Sequence, residues 1–198
     1  PLPAEAQWAP AFGIAVADFD GDGAEDVFLS QNFFAVAPDY TRYDAGRGLL
    51  LRGDGRGGLA PVPGQISGLK IYGEQRGCAV ADFDHDGRPD LVVTQNGAAT
   101  RLYRNRQARP GVRLRLVGPP GNPAGWGAVV RLGDGQRWGP ARELHGGAGY
   151  WSQDGAVVIP AYAGAATQVQ VRWPGRAEPV SLRLPADARA VEVRMDGS

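Results

Sequence analysis

One nine-residue pattern occurs twice in the chain and limits what it can fold into. Asp18-Phe19-Asp20-Gly21-Asp22-Gly23-Ala24-Glu25-Asp26 and Asp82-Phe83-Asp84-His85-Asp86-Gly87-Arg88-Pro89-Asp90 both read D-F-D-x-D-G-x-x-D, and the second begins 64 residues after the first. Each copy follows a short apolar run, Gly13 to Ala17 or Gly77 to Ala81, and precedes another, Val27 to Ser30 or Leu91 to Thr94. Each is therefore expected to be a tight loop between two strands.

Four aspartates in nine residues repel one another unless a cation stands among them. Ca2+ meets that demand with roughly six to eight hard oxygen ligands in a flexible geometry, whereas Mg2+ requires a smaller octahedron and keeps its waters. The expected side-chain ligands are Asp18, Asp20, Asp22 and Asp26 in the first loop and Asp82, Asp84, Asp86 and Asp90 in the second. Gly23 and Gly87 would allow the turn that brings the carbonyls of Ala24 and Arg88 inward, completing two sites for two Ca2+ ions. An EF-hand would need Glu at position 12 and flanking helices; Leu29 and Val93 stand there, in runs of strand type, so these loops are not EF-hands. The plainer alternative is a pair of acidic surface turns, since Asp and Gly form turns readily. Two copies in register, each repeating the strand context, weigh against it.

Thirty glycines and sixteen prolines imply many turns and few helices, while 43% hydrophobic residues are too many for a disordered chain. Twenty-one basic residues balance twenty-one acidic ones, which argues against a nucleic-acid or anionic-membrane binder. No apolar run has the length of a membrane span. The lone Cys78 forms no intramolecular disulfide and reads as a small buried residue. The N-terminal residues lack a basic segment followed by an apolar core, so an export signal is expected to be outside this sequence.

In chain order, Pro1 to Pro10 reads as a lead-in anchored by Trp8. Strands are expected at Gly13 to Ala17, Asp26 to Ser30, Gly48 to Arg52 and Leu59 to Val62, with Gln31 to Arg47 a polar and aromatic excursion between the second and third. That excursion either packs its rings locally or presents a recognition surface. The second unit repeats the order more compactly, through Leu91 to Thr94 and Thr100 to Arg104. Units of this size cannot bury a face alone, and four-stranded blades repeated about an axis are one way to protect them, although about four to eight blades are needed. Beyond Asn105 the period changes. Val112 to Val117, Ala128 to Leu132, Arg142 to Leu144, Val157 to Pro160, Thr167 to Trp173, Val180 to Leu184 and Ala190 to Met195 read as strands of a second, compact β domain with Trp in its core.

The Asp motifs, with Gly77-Cys78-Ala79-Val80-Ala81-Asp82 and Asp90-Leu91-Val92-Val93-Thr94-Gln95-Asn96-Gly97 around them, resemble the FG-GAP or VCBS-type repeats of integrin-like β-propellers. The second half is similar to the ASPIC and UnbV domain that follows such repeats in cartilage-acidic-protein-like proteins. Gly121 to Ala128, Gly146 to Gln153 and Val169 to Gly175 carry that similarity. Where that family tends to place Gly-Leu-Gly, this chain has Pro160-Ala161-Tyr162-Ala163-Gly164. The resemblance implies an all-β chain: a partial β-propeller of two blades over residues 1–110, then a small β-sandwich-like domain over 111–198. It also implies Ca2+ on the Asp loops, a secreted or periplasmic location, and a scaffolding or adhesive role. Family propellers have about seven blades, so a protein partner, or further copies of this chain, is expected to complete the structure.

A catalytic alternative centres on His145, next to Gly146-Gly147-Ala148-Gly149 and close in sequence to Glu143, Tyr150, Trp151 and Ser152. The motifs of serine hydrolases with a nucleophile elbow, of zinc proteases, of P-loops and of dinucleotide-binding folds are absent. The glycine run is expected instead to be a turn that lets Tyr150 and Trp151 pack, and His85 a solvent-facing loop residue. No catalytic residue is assigned from the sequence.

Overall fold

A computed structural model describes residues 1–195. The chain is almost entirely β. Four antiparallel strands, β1 (Ala11–Ala17), β2 (Asp26–Gln31), β3 (Leu49–Gly53) and β4 (Leu59–Val62), form one sheet in sequential order. A single helical turn, α1 (Gly64–Ser67), leads to the second sheet of β5 (Glu74–Ala81), β6 (Asp90–Asn96) and β7 (Ala98–Tyr103). The two sheets repeat each other in detail. Ala17 pairs with Asp26 as Ala81 pairs with Asp90, and the register shifts between Ala11 and Ile14 just as it does between Gln75 and Cys78.

The inner strands β1 and β5 pack side by side, as neighbouring blades of a propeller do. A β-carbon on Gly13 would lie 2.7 Å from the Arg76 carbonyl oxygen and 2.8 Å from Ser30 Oγ, so only glycine allows this approach. The buried Ser30 hydroxyl accepts from the Gly13 N–H (2.6 Å) and donates to the Arg76 carbonyl (2.5 Å), tying both blades together. Thr94 holds the equivalent place in the second blade and accepts from the Gly77 N–H at 2.9 Å. Ala15, Phe28, Leu69, Ile71, Cys78, Leu91 and Val93 fill the space between the sheets.

The second sheet has three strands where the first has four. After β7 the chain passes directly into the C-terminal domain, and the outer side of β7 has no neighbouring strand among the described residues. That domain holds two sheets. The first runs β10 (Arg142–Glu143), β9 (Val129–Gly133), β12 (Gln168–Arg172), β13 (Val180–Arg183); the second runs β11 (Val157–Val158), β8 (Arg113–Val117), β14 (Ala190–Arg194). Leu114, Leu116, Val130, Leu132, Val169, Val171 and Trp173 interdigitate between them, giving the expected tryptophan-containing core. β14 lies parallel to β8; every other strand pair is antiparallel.

The segment between β10 and β11 lies along the inner edges of both blades. Gly149 bridges Gly13, the Asp154 carboxylate accepts from the Val80 N–H at 2.8 Å, and the Gly155 N–H donates to the Val80 carbonyl at 2.8 Å. Backbone groups that two isolated blades would leave unpaired are satisfied from within the chain.

Two aromatic expectations need correction. Trp8 is 61% exposed, and its neighbour Ala9 takes the buried place. Trp151 is 95% exposed, and its backbone adopts a left-handed φ of 48°. In the long excursion Phe33 pairs with Tyr43 through a single β-bridge, while Tyr40 and Tyr43 keep their rings in solvent.

Candidate metal centres at the domain junction

In each Asp loop the first carboxylate gathers the turn around itself. Asp18 Oδ1 accepts from the N–H groups of Gly21 and Asp22, at 2.8 and 3.1 Å, and Asp18 Oδ2 accepts from Gly23 at 2.9 Å. Asp82 does the same for Asp86 (3.0 Å) and Gly87 (3.1 Å). The turn needs left-handed backbone at position 6, where Gly23 has φ 94° and Gly87 has φ 82°. Those glycines also touch the C-terminal domain: Gly23 meets Ala163, and the Gly87 carbonyl accepts from the Gly111 N–H at 2.8 Å.

Carboxylate oxygens of Asp18, Asp20 and Asp22 lie within 4.8 Å of one another, and so do those of Asp82, Asp84 and Asp86. Oxygens about 2.3 to 2.6 Å from one Ca2+ stand no more than about 5 Å apart, so both triads have the right spread. Asp84 adds a second indication. Both its oxygens are closed off from solvent and accept no hydrogen bond among the described residues; their contact is an ion pair with Arg104. A hard cation is the partner such a carboxylate fits.

Position 9 is built differently from the other three. Asp26 accepts from the N–H groups of Phe19 (2.8 Å) and Gly53 (2.9 Å), and Asp90 from those of Phe83 (2.9 Å) and Asn105 (2.7 Å). These two residues tie each loop to the third strand of its blade. Each oxygen has a further lone pair, but neither residue belongs to the close triads. Burial pushes the Asp26 carboxyl up to about 6 against the hydrogen bonds from Gly53 and Phe19, and it raises Asp90 in the same way. Ala24 and Arg88 each donate their N–H to the position-5 aspartate, at 2.8 and 3.0 Å.

Arginines share the charge of both loops, which the spacing of the aspartates did not disclose. Arg52 Nε lies 2.7 Å from Asp20 and its Nη2 3.0 Å from Asp22. The second loop has three such partners: Arg88 on Asp86 (2.8 Å), Arg104 on Asp84 and Asp86, and Arg113 on the buried Asp82 (2.5 Å). A sequence signal for two of them exists, because Leu50-Leu51-Arg52 and Leu102-Tyr103-Arg104 close equivalent third strands. Arg113 comes from β8, so the C-terminal domain reaches into the second loop. On the first loop the same domain contributes Arg142, 3.5 Å from Glu25 and 3.3 Å from Asp154.

The second Asp loop and the strands around it match a known repeat. Residues 77–104 match the FG-GAP repeat. The match takes in most of β5, its loop, β6 and β7, and such repeats are typical of extracellular, propeller-type binding modules. Its structural twin, the first blade, repeats the register and loop geometry of the FG-GAP repeat. No curated protein matches the chain. No helix among the described residues is long and apolar enough to cross a membrane.

His145 is exposed beside a cleft of about 420 Å3 that also takes in Glu25, Arg142, Glu143 and Asp154. The Ser152 hydroxyl donates to the Ala148 carbonyl of its own turn (3.4 Å), and Arg142 occupies the carboxylates of Glu25 and Asp154. His85 is exposed at position 4 of its loop.

Proposed function

We propose that this chain is a calcium-stabilised binding or assembly module of the secreted or periplasmic space, with one Ca2+ in each Asp loop. The side chains of Asp18, Asp20, Asp22 and Asp26, with the Ala24 carbonyl, hold the first ion. Asp82, Asp84, Asp86, Asp90 and the Arg88 carbonyl hold the second. The observation that carries this reading is the pair of carboxylate triads, repeated in register, one of them with an aspartate, Asp84, whose two oxygens are closed off from solvent and accept no hydrogen bond among the described residues. Because both loops also touch the C-terminal domain, each ion stabilises the junction as well as its own blade. That domain, by its sequence resemblance, is of the ASPIC and UnbV type. A partner polypeptide, or further copies of this chain, supplies the remaining blades; the open outer edge of β7 supports this, since it offers a place for one more strand.

Metal analysis of protein purified in calcium is expected to give two ions per chain. Asp20→Ala and Asp84→Ala should each remove one, and chelation should lower Tm because the ion binds the folded state. Protein free of calcium after such a preparation would overturn the metal assignment. Native mass spectrometry tests assembly separately, a monomer of 20.9 kDa without any partner being the contrary result.

A further inference from the structure

At the end of the inner strands opposite the Asp loops, five side chains from four parts of the chain build an aromatic platform. Phe12 at the start of β1 and Phe33 after β2 have ring centroids 6.1 Å apart. The Arg76 guanidinium lies over both, 4.1 Å from the Phe12 centroid and 5.7 Å from that of Phe33. Tyr150 meets Phe12 edge-on at 5.7 Å, and Trp151 lies nearly parallel to Tyr150, at 6.1 Å and 17°. The platform continues into a cleft of about 500 Å3 lined by Arg76, Gly77, Thr94, Gln95, Asn96 and the two rings.

The cleft has no spare charge. Arg76 pairs with the buried Glu74 at 2.7 Å and donates to the carbonyls of Asn32 and Gln75; Glu74 accepts in addition from the Phe34 N–H and from Asn96 Nδ2. What remains for a ligand is neutral: exposed ring faces and the amide oxygen of Asn96. Trp151 stands out further, since a bulky side chain at φ 48° is strained and 95% exposure gives it little packing in return.

We infer that this platform binds a neutral hexopyranose, either as the end or as a segment of an oligosaccharide. A sugar ring presents one face of C–H bonds polarised by neighbouring oxygens, which the negative face of an indole or phenol ring attracts. Its rim of hydroxyls suits amide acceptors. The size of the cleft is that of a small-ligand site, well short of the broad patch a protein partner needs. An anionic sugar would bring a charge for which the Arg76–Glu74 pair leaves no counterion.

The test is titration of the calcium-loaded protein with neutral hexasaccharides of glucose, mannose and galactose, followed by tryptophan fluorescence and calorimetry. At least one should saturate with a Kd of about 1 mM or tighter. Trp151→Gly removes the ring at an exposed site and relieves the backbone, so the fold is not at risk. It should weaken binding by roughly tenfold or more while calcium content stays unchanged, and Trp151→Phe should retain most of the affinity. The inference is overturned if no neutral sugar saturates, if Trp151→Gly binds as well as the parent, or if only anionic sugars bind. It is equally overturned if the sugars are silent and Trp151→Gly instead lowers the native mass of an assembly, which would give the platform to a protein partner. The calcium assignment stands or falls separately, on metal content.

Discussion

His85 and Gly21 hold the same place in the two Asp loops and nearly the same backbone conformation, φ 64° and 75°. A β-carbon there costs about 1 kcal/mol that glycine avoids, so His85→Gly is expected to raise Tm. Glu74 behaves oppositely, as a residue the fold depends on. Its burial favours the neutral acid, but hydrogen bonds from Phe34, Asn96 and Arg76 and the charge of Arg76 prevail and lower its pKa to about 2. Because the folded value lies below the unfolded one of 4.5, its contribution is complete above that pH and is lost as pH falls toward about 2. Glu74→Gln should cost about 3 kcal/mol at neutral pH, by leaving Arg76 without its partner, and should flatten the acid limb of a stability–pH curve measured by denaturant. Cys78 is inert by burial, which together with the Asp154 charge pushes its thiol up to about 12. A thiol reagent at pH 8 should label it only after unfolding.

At the scale of elements, the β1–β5 contact sets how the blades meet. Gly13→Ala would press a methyl group against the Arg76 carbonyl and Ser30, neither able to retreat without breaking the bond between them. A loss of about 1 to 3 kcal/mol is expected in denaturant titration. The strands were largely legible from the sequence because apolar runs and Gly- or Asp-rich turns are local signals, and the repeat located both Asp loops. Four features were not. Arg113 and Arg142 reach the loops from far along the chain, and the pairing of Asp154 and Gly155 with Val80 is made across domains. The absence of a fourth strand after β7 reflects where the chain goes next, and Trp151 stands outward on a left-handed backbone. None of these leaves a period or a motif. The aromatic platform escaped for the same reason, since its rings come from β1, the end of β2 and the turn after β10.

For the molecule as a whole, the C-terminal domain acts as a wall for the blades. Residues 1–110 made alone would expose the inner edges of β1 and β5 that Gly149, Asp154 and Gly155 now cover, so light scattering should show that fragment aggregating where the full chain does not. The parallel pairing of β14 with β8 has a further consequence, in time. Hairpins within each blade join neighbouring stretches and can form as soon as a growing chain releases them. β8 cannot: both its partners, β11 and β14, are synthesised much later, and one of them is the final described strand. Until that strand arrives, the sheet that anchors the covering segment through β11 is unfinished. The slow step in maturation therefore belongs to the C-terminal domain, and it is there, during the wait, that a chaperone would find its substrate.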